Sequence, residues 1–346
     1  MKIEYHKRLL KKRFPLAISR GVRGDSYNVF VSFEKDGITG WGEAAPGKTE
    51  NADSPEKVME ELDRLVASGL EGLSLYEIES RARSLQIAPC AYAGLDIALW
   101  DWTAKKAKMP LYQMLGFPKP KTATSVTIGI NPPEVVKERV PLLLEGTGVQ
   151  SLKIKLGSPE GVDADKAMFE QVVKSCQHYP VRLRVDANGG WDLPTAIAMS
   201  QWLADRGVSY IEQPLKEGEE ANLGPLYQQS ALPIYVDESC RFAHNIPQWA
   251  HTVHGVNFKL MKCGGITEAL RIIATARAFG LKTMVGCMSE SSISIAAAAA
   301  LSGVLGHIDL DSHYNLAPDP AEGAPMVNGI TMPTDLPGHG AFLKEA

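Results

Sequence analysis

No CxxC pair occurs in the chain, and its five cysteines (Cys90, Cys176, Cys240, Cys263 and Cys287) are scattered and odd in number. That usage argues against a disulfide framework and a structural zinc site, and for free thiols in a reducing compartment. Long apolar runs are missing as well. The longest, ISIAAAAALSGVLG at 293–306, is too short to span a bilayer and carries serine and glycine, so it reads as a buried alanine-rich helix. The N-terminus is basic but has no apolar core and no small-residue cleavage site, so no secretory signal is expected and the expected compartment is cytoplasmic. A surplus of either charge is also lacking. Lys and Arg number 36 against 40 Asp and Glu, a net charge of −4 that gives no reason to expect nucleic acid or an anionic membrane. The basic run HKRLLKKR at 6–13 is broken by two leucines and followed by Pro15, and reads as a solvated strand. Finally, no GxGxxG follows an early strand, which weakens the case for a doubly wound dinucleotide-binding sheet.

What is present is ordinary in bulk and ordered in pattern. Of 346 residues, 45% are hydrophobic and 22% charged, enough for one large α/β domain with an accessory domain. From about residue 122 the chain alternates strand, polar break and helix. The expected strands are ATSVTIGI, SLKIK, VRLRVDA, VSYIEQ, LPIYVDE, GVNFKL, LKTMVGC and LGHIDLD. Helical patterns fill most of the gaps, as in NPPEVVKERVPLLLEG and DLPTAIAMSQWLADRG. Eight strands alternating with helices argue for a closed parallel barrel. The first 120 residues differ: YNVFVSFEKDGITGWGEAAP predicts an antiparallel hairpin turning at Asp36-Gly37, and a helical region follows. The expected organisation is an α+β capping domain over 1–120, a barrel over 121–315, and a Pro- and Gly-rich segment over 316–346 that returns to the cap.

In a parallel barrel the C-terminal ends of the strands converge on one mouth. Those ends carry Lys153 and Lys155, then Asp186 and Asn188, Glu212, Asp237, Lys259, and Asp309 with Asp311. One acid at a strand end is usually a helix cap. Three acids ending three consecutive strands would repel one another and raise each other's pKa without a cation. A hard divalent ion removes that cost, and all-oxygen ligands favour magnesium or manganese over zinc. A lysine must lose its proton to act as a base, and nearby positive charge with partial desolvation lowers its pKa. Lysines on opposite faces of a metal-held carboxylate substrate would remove a proton on one side and return it on the other, which is racemisation or epimerisation.

At these residues the sequence resembles the enolase superfamily, in its muconate-cycloisomerase-like subgroup. The likeness runs through GWGEAAP and AGLDIALWDWTAKKAKMPLYQMLG near the start, and through KIK, VDANGGW, EQP, VDES, NFKLMKCGG and GCMSES further on. It implies a modified TIM barrel, (β/α)7β, under an α+β capping domain built from both termini. It assigns Asp186, Glu212 and Asp237 to Mg2+ (or Mn2+), and Lys155 and Lys259 to acid–base catalysis. Lys153 would support the substrate carboxylate and the electrostatics of Lys155. HIDLDS resembles the Asp-x-Asp feature of dipeptide epimerases, in which Asp309 and Asp311 would receive the substrate's α-ammonium. ISRGVRGD falls where the family has a mobile loop, and Arg20 and Arg23 there resemble positions of Ala-Glu epimerases that face an acidic side chain.

The implied activity is isomerisation: a magnesium-dependent dipeptide epimerase, the Ala-Glu type among the candidates, inverting the α-carbon of the C-terminal residue by 1,1-proton transfer through an enediolate. The alternatives are an N-acylamino acid racemase, an o-succinylbenzoate synthase, or a non-catalytic barrel that binds small molecules. The expected partner is a small dipeptide, with no nucleic acid and no membrane; association into a homo-oligomer is allowed. Two further motifs stand outside this reading. HTVH at 251–254 would set two histidines one helical turn apart, without an adjoining acid. CGGIT at 263–267 would open a helix that could cradle a phosphate, although an ordinary helix entry is the preferred reading.

Overall fold

The computed structural model describes residues 1–345. The chain begins with β1 (Lys2–Leu10), the short pair β2 (Leu16–Ile18) and β3 (Gly21–Arg23), then β4 (Ser26–Lys35) and β5 (Ile38–Ala44). β1, β4 and β5 form an antiparallel sheet. Asp36 and Gly37 join β4 to β5 with φ of 55° and 70°, both in the left-handed region that a two-residue hairpin of this hand requires. Three helices follow: α1 (Pro55–Ala67), α2 (Leu75–Ser84) and α3 (Pro89–Lys106), with the short α4 (Leu111–Met114) behind them. α2 starts in a capping box between Ser74 and Glu77. The glycines of GWGEA decide how the sheet meets α3. A Cβ on Gly42 would lie 1.9 Å from the Gly94 carbonyl oxygen, and one on Gly40 2.1 Å from that of Ala98. Only glycine lets this strand lie so close against the helix.

The second layer system is a barrel. Its strands are β6 (Val126–Ile128), β7 (Ser151–Lys155), β8 (Arg182–Asp186), β9 (Val208–Glu212), β10 (Ile234–Val236), β11 (Gly255–Phe258), β12 (Lys282–Val285) and β13 (His307–Ile308). All pair in parallel in sequence order, and a bridge between Thr124 and Ile308 closes the ring. Between them run α5 (Pro133–Leu144), α6 (Val162–Cys176), α7 (Leu193–Ala204), α8 (Leu223–Gln229), α9 (Leu260–Cys263) with α10 (Ile266–Ala278), and α11 (Ser292–Ala299). The link from β10 to β11 departs from the pattern, being a 3-10 turn at Ala243–Trp249. Every residue of the alanine-rich α11 is buried, as its composition leads one to expect. The fold is thus a modified TIM barrel with an α+β cap.

The last segment runs back to the first domain. Gly338 donates to the Met109 carbonyl, Leu111 to that of Gly338, and the His339 amide to Asp101 on α3. Cap and barrel are also tied at Glu43 of β5, whose buried carboxylate accepts bonds from Asn28, from the Ser291 amide and hydroxyl, and from the Ser294 amide at the start of α11. Among the described residues no helix is long and apolar enough to cross a membrane.

Candidate active site

Alternation along each barrel strand sends every second side chain inward. β7 and β8 are in register with Lys153 opposite Arg184 and Lys155 opposite Asp186, and Asp186 in turn faces Glu212 on β9. Asp237 follows β10 directly. Asp186, Glu212 and Asp237 are fully buried, and one carboxylate oxygen of each lies within 4.8 Å of the others. Carboxylate oxygens alone make a hard donor set, of the kind that suits magnesium or manganese. Glu212 also fits a cation in detail: its Oε1 accepts from Asn257 at 2.7 Å, while its Oε2, completely buried, has no hydrogen-bonding partner. Lys153 Nζ lies 2.8 Å from that oxygen, without the angles of a hydrogen bond.

Four lysines, Lys153, Lys155, Lys259 and Lys262, surround the cluster. Lys153 Nζ donates to Asp309 Oδ2 at 2.7 Å and lies 3.2 Å from Asp186. Lys155 donates to Asp186 Oδ2 at 2.6 Å, and Lys259 to Asp237 Oδ2 at 2.7 Å. β7 and β11 are four strands apart in a ring of eight, so Lys155 and Lys259 stand on opposite walls. Burial alone would raise the pKa of Asp186, but Lys155 and Lys153 outweigh it and bring that carboxyl down to about 2. Asp237 is driven well below the usual carboxylate range by Lys259 and Lys262 against the same burial. Glu212 goes the other way, pushed up to about 7 by burial and by Asp186. For Lys259, burial works to lower the pKa and the Asp237 carboxylate more than reverses it. The lowered value expected from sequence for a base lysine therefore does not hold for Lys259, because the Asp237 carboxylate outweighs burial.

Asp309 and Asp311 lie beyond β13 yet keep its alternation, with Leu310 buried between them. Asp309 Oδ1 accepts from the Ser125 hydroxyl and Asp311 Oδ2 from the Thr127 amide at 2.6 Å. Burial and the neighbouring Asp309 push Asp311 up to about 6. Above the mouth, the β2–β3 hairpin covers a cavity of about 530 Å³ whose lining includes Lys153, Lys155, Lys259, Asp309 and Asp311. Both loop arginines line it too. Arg20, however, is bound to the barrel: it donates to Glu238 and to the Asn188 carbonyl, which also accepts from the Ser19 hydroxyl. Arg23 is exposed at the rim.

Over residues 136–346 the sequence matches the model for the enolase C-terminal domain-like family, and over 2–116 that for the N-terminal domain of mandelate racemase / muconate lactonizing enzyme. The chain belongs to the enolase superfamily. A hydrophobic dipeptide epimerase of a Flavobacteria bacterium is 70% identical over 345 residues, covering 100% of this chain and 99% of the relative. One from Roseobacter litoralis is 56% identical over the full length of both. A solved dipeptide epimerase of Enterococcus faecalis, complexed with Mg and the dipeptide L-Leu-L-Tyr, superposes with a TM-score of 0.90 at 30% identity, covering 98% of each chain.

Several groups in this enolase-superfamily site escaped the sequence reading. Lys262 bonds to Asp237 and to the Asn257 carbonyl, and Asn257 holds Glu212. Both had a signal: Asn257 shares the inward face of β11 with Lys259, and Lys262 lies one helical turn beyond it. Glu238 and Ser125 had none, since their partners lie 218 and 184 residues away in sequence. The two outlying motifs have structural roles. His251 sits in a turn with φ of 69°, and His254 Nδ1 accepts from the Ile234 amide. At the start of α10 the Asp96 carboxyl group, from α3, fills the place an external anion would need, accepting from the Thr267 amide and hydroxyl.

Proposed function

We propose that this chain is a magnesium-dependent dipeptide epimerase that inverts the α-carbon of the C-terminal residue. The observation that carries the reading is a three-carboxylate cluster between lysines on opposite barrel walls. Binding alone needs no such opposed pair, which disfavours a non-catalytic barrel. Asp186, Glu212 and Asp237 would hold the cation, and when bound it would draw off the negative charge that develops on the substrate carboxylate as the α-proton leaves. Lys155 takes or returns the proton from one face and Lys259 from the other. Lys153 steadies the substrate carboxylate, and Asp309 with Asp311 receives the α-ammonium through charge-assisted bonds. An N-succinyl or o-succinylbenzoate substrate lacks that ammonium and would bring a further carboxylate towards this acidic pair.

The preferred class is dipeptides with apolar side chains. Arg20 is engaged by Glu238, while Leu16, Ile18, Val22 and Met288 contribute apolar lining to the cavity. The 70% and 56% identical relatives, both named hydrophobic dipeptide epimerases, support the same choice over the Ala-Glu type. Residues 1–120 with 316–345 act as the cap that closes the site, and 121–315 as the catalytic barrel. Five unpaired cysteines, four of them buried, accord with a cytoplasmic enzyme. Incubation with magnesium and a panel of apolar, acidic and N-succinylated substrates, followed by chiral separation, tests the reading. Epimerisation of apolar dipeptides that stops in excess chelator is expected. Full activity in chelator, or preference for N-succinyl amino acids, would overturn it.

A further inference from the structure

Arg184 is a buried cation that no step above employs. It stands on β8 one inward position below Asp186 and is 3% exposed. Among the described residues no carboxylate pairs with it. Its guanidinium donates to the carbonyl oxygens of Ile308 at 2.9 Å and Ala123 at 3.4 Å, and lies 5.9 Å from the centre of the Tyr210 ring. A cation kept in the interior without an anion is costly, so its two bonds need a purpose.

Both carbonyls belong to the seam where the barrel closes. β7 and β8 pair continuously from Ser151 opposite Arg182 to Lys155 opposite Asp186, whereas the first and last strands meet in the one bridge at Thr124 and Ile308. The Ser125 amide donates to Ile308 O at 3.0 Å, and beyond it the Leu310 amide must turn to the Thr124 hydroxyl at 2.7 Å. The Ile308 carbonyl and the Asp309 amide are two ends of the same peptide group. Its N–H donates to Val285 on β12, and its oxygen is held by Ser125 and Arg184. Arg184 thus fixes the plane from which the Asp309 side chain springs, at the barrel's most thinly bonded joint.

We propose that Arg184 is a positioning residue for substrate recognition: by bridging the closing seam it sets the Ile308–Asp309 peptide, and through it the Asp309 carboxylate that receives the ammonium. The inference rests on the dipeptide reading. Arg184→Met should raise KM for L-Leu-L-Tyr about tenfold and leave kcat within about threefold. In an Asp309→Asn background, adding Arg184→Met should change KM by no more than about twofold, because both substitutions remove one interaction. Arg184→Lys, which keeps a donor for one carbonyl, should recover part of the lost affinity, and it carries the same comparison if the methionine variant does not fold. A fall in kcat at unchanged KM, or a KM rise that adds in full to that of Asp309→Asn, overturns the proposal alone. A wild-type chain that neither binds nor epimerises dipeptides overturns the functional reading with it.

Discussion

Asp237 answers to two buried lysines at once, since Lys259 and Lys262 both donate to its carboxylate. In the proposed site, neutralising it would weaken the hold on the cation, and it would leave two ammonium groups without their anion. Asp237→Asn should therefore shift the magnesium requirement upward by more than about a hundredfold, beyond the roughly 10–100-fold that loss of an outer partner around a metal site usually costs. A magnesium titration of initial rates measures it. Arg20 poses a different question, because its guanidinium closes the β2–β3 hairpin onto Glu238 and Asn188. Arg20→Ala should lower kcat/KM by a similar factor, roughly tenfold, for dipeptides ending in leucine and in glutamate. A loss confined to glutamate would instead show Arg20 free to meet the substrate. The carboxylates and three lysines of the mouth were readable because each ends a strand whose alternation fixes its face. Arg184 was readable as an inward residue, yet nothing local announces that it bonds to Ile308, 124 positions away.

Secondary elements were readable wherever periodicity was long, and less so where a tertiary partner takes the role of a local signal. All eight barrel strands and the Asp36-Gly37 turn follow from pattern and turn chemistry. The 3-10 link at Ala243–Trp249 does not, and the start of α10 is completed by a carboxyl group from α3, 171 residues away. Asp96 there is fully buried, and burial pushes it up to about 7. In the unfolded chain the same group ionises near its ordinary 3.8, so folding holds its proton between these values. Stability contributed by that retained proton is complete below about pH 4 and is lost as pH rises through about 7. Asp96→Asn cannot ionise. The variant's stability relative to wild type should improve as pH rises from 4 to 8, by an amount on the order of a few kcal/mol at most. Urea denaturation at a series of pH values measures the difference. A pH-independent difference would mean that Asp96 is already ionised in the fold.

At the scale of the whole molecule, the cavity exists only because the cap's hairpin and the barrel's strand ends are brought together, so its lining could not be read from either part alone. Glu43 shows how firmly they are joined: a cap carboxylate, raised in pKa by burial, accepts from the Ser291 and Ser294 amides at the start of the barrel helix α11. The overall plan, by contrast, was readable from the rhythm of strands and helices. In the proposed mechanism, two lysines on opposite walls serve opposite faces of one substrate carbon. Proton NMR of α-hydrogen exchange in deuterated water tests it most directly, with both stereoisomers of an apolar dipeptide and the variants Lys155→Met and Lys259→Met. Each variant should lose epimerisation by about 10²–10⁴-fold, the usual worth of a positioned acid–base group. Each should still exchange the α-hydrogen of one stereoisomer, Lys259→Met the one that faces Lys155 and Lys155→Met the other. Exchange that survives equally for both stereoisomers in either variant would contradict the two-lysine account.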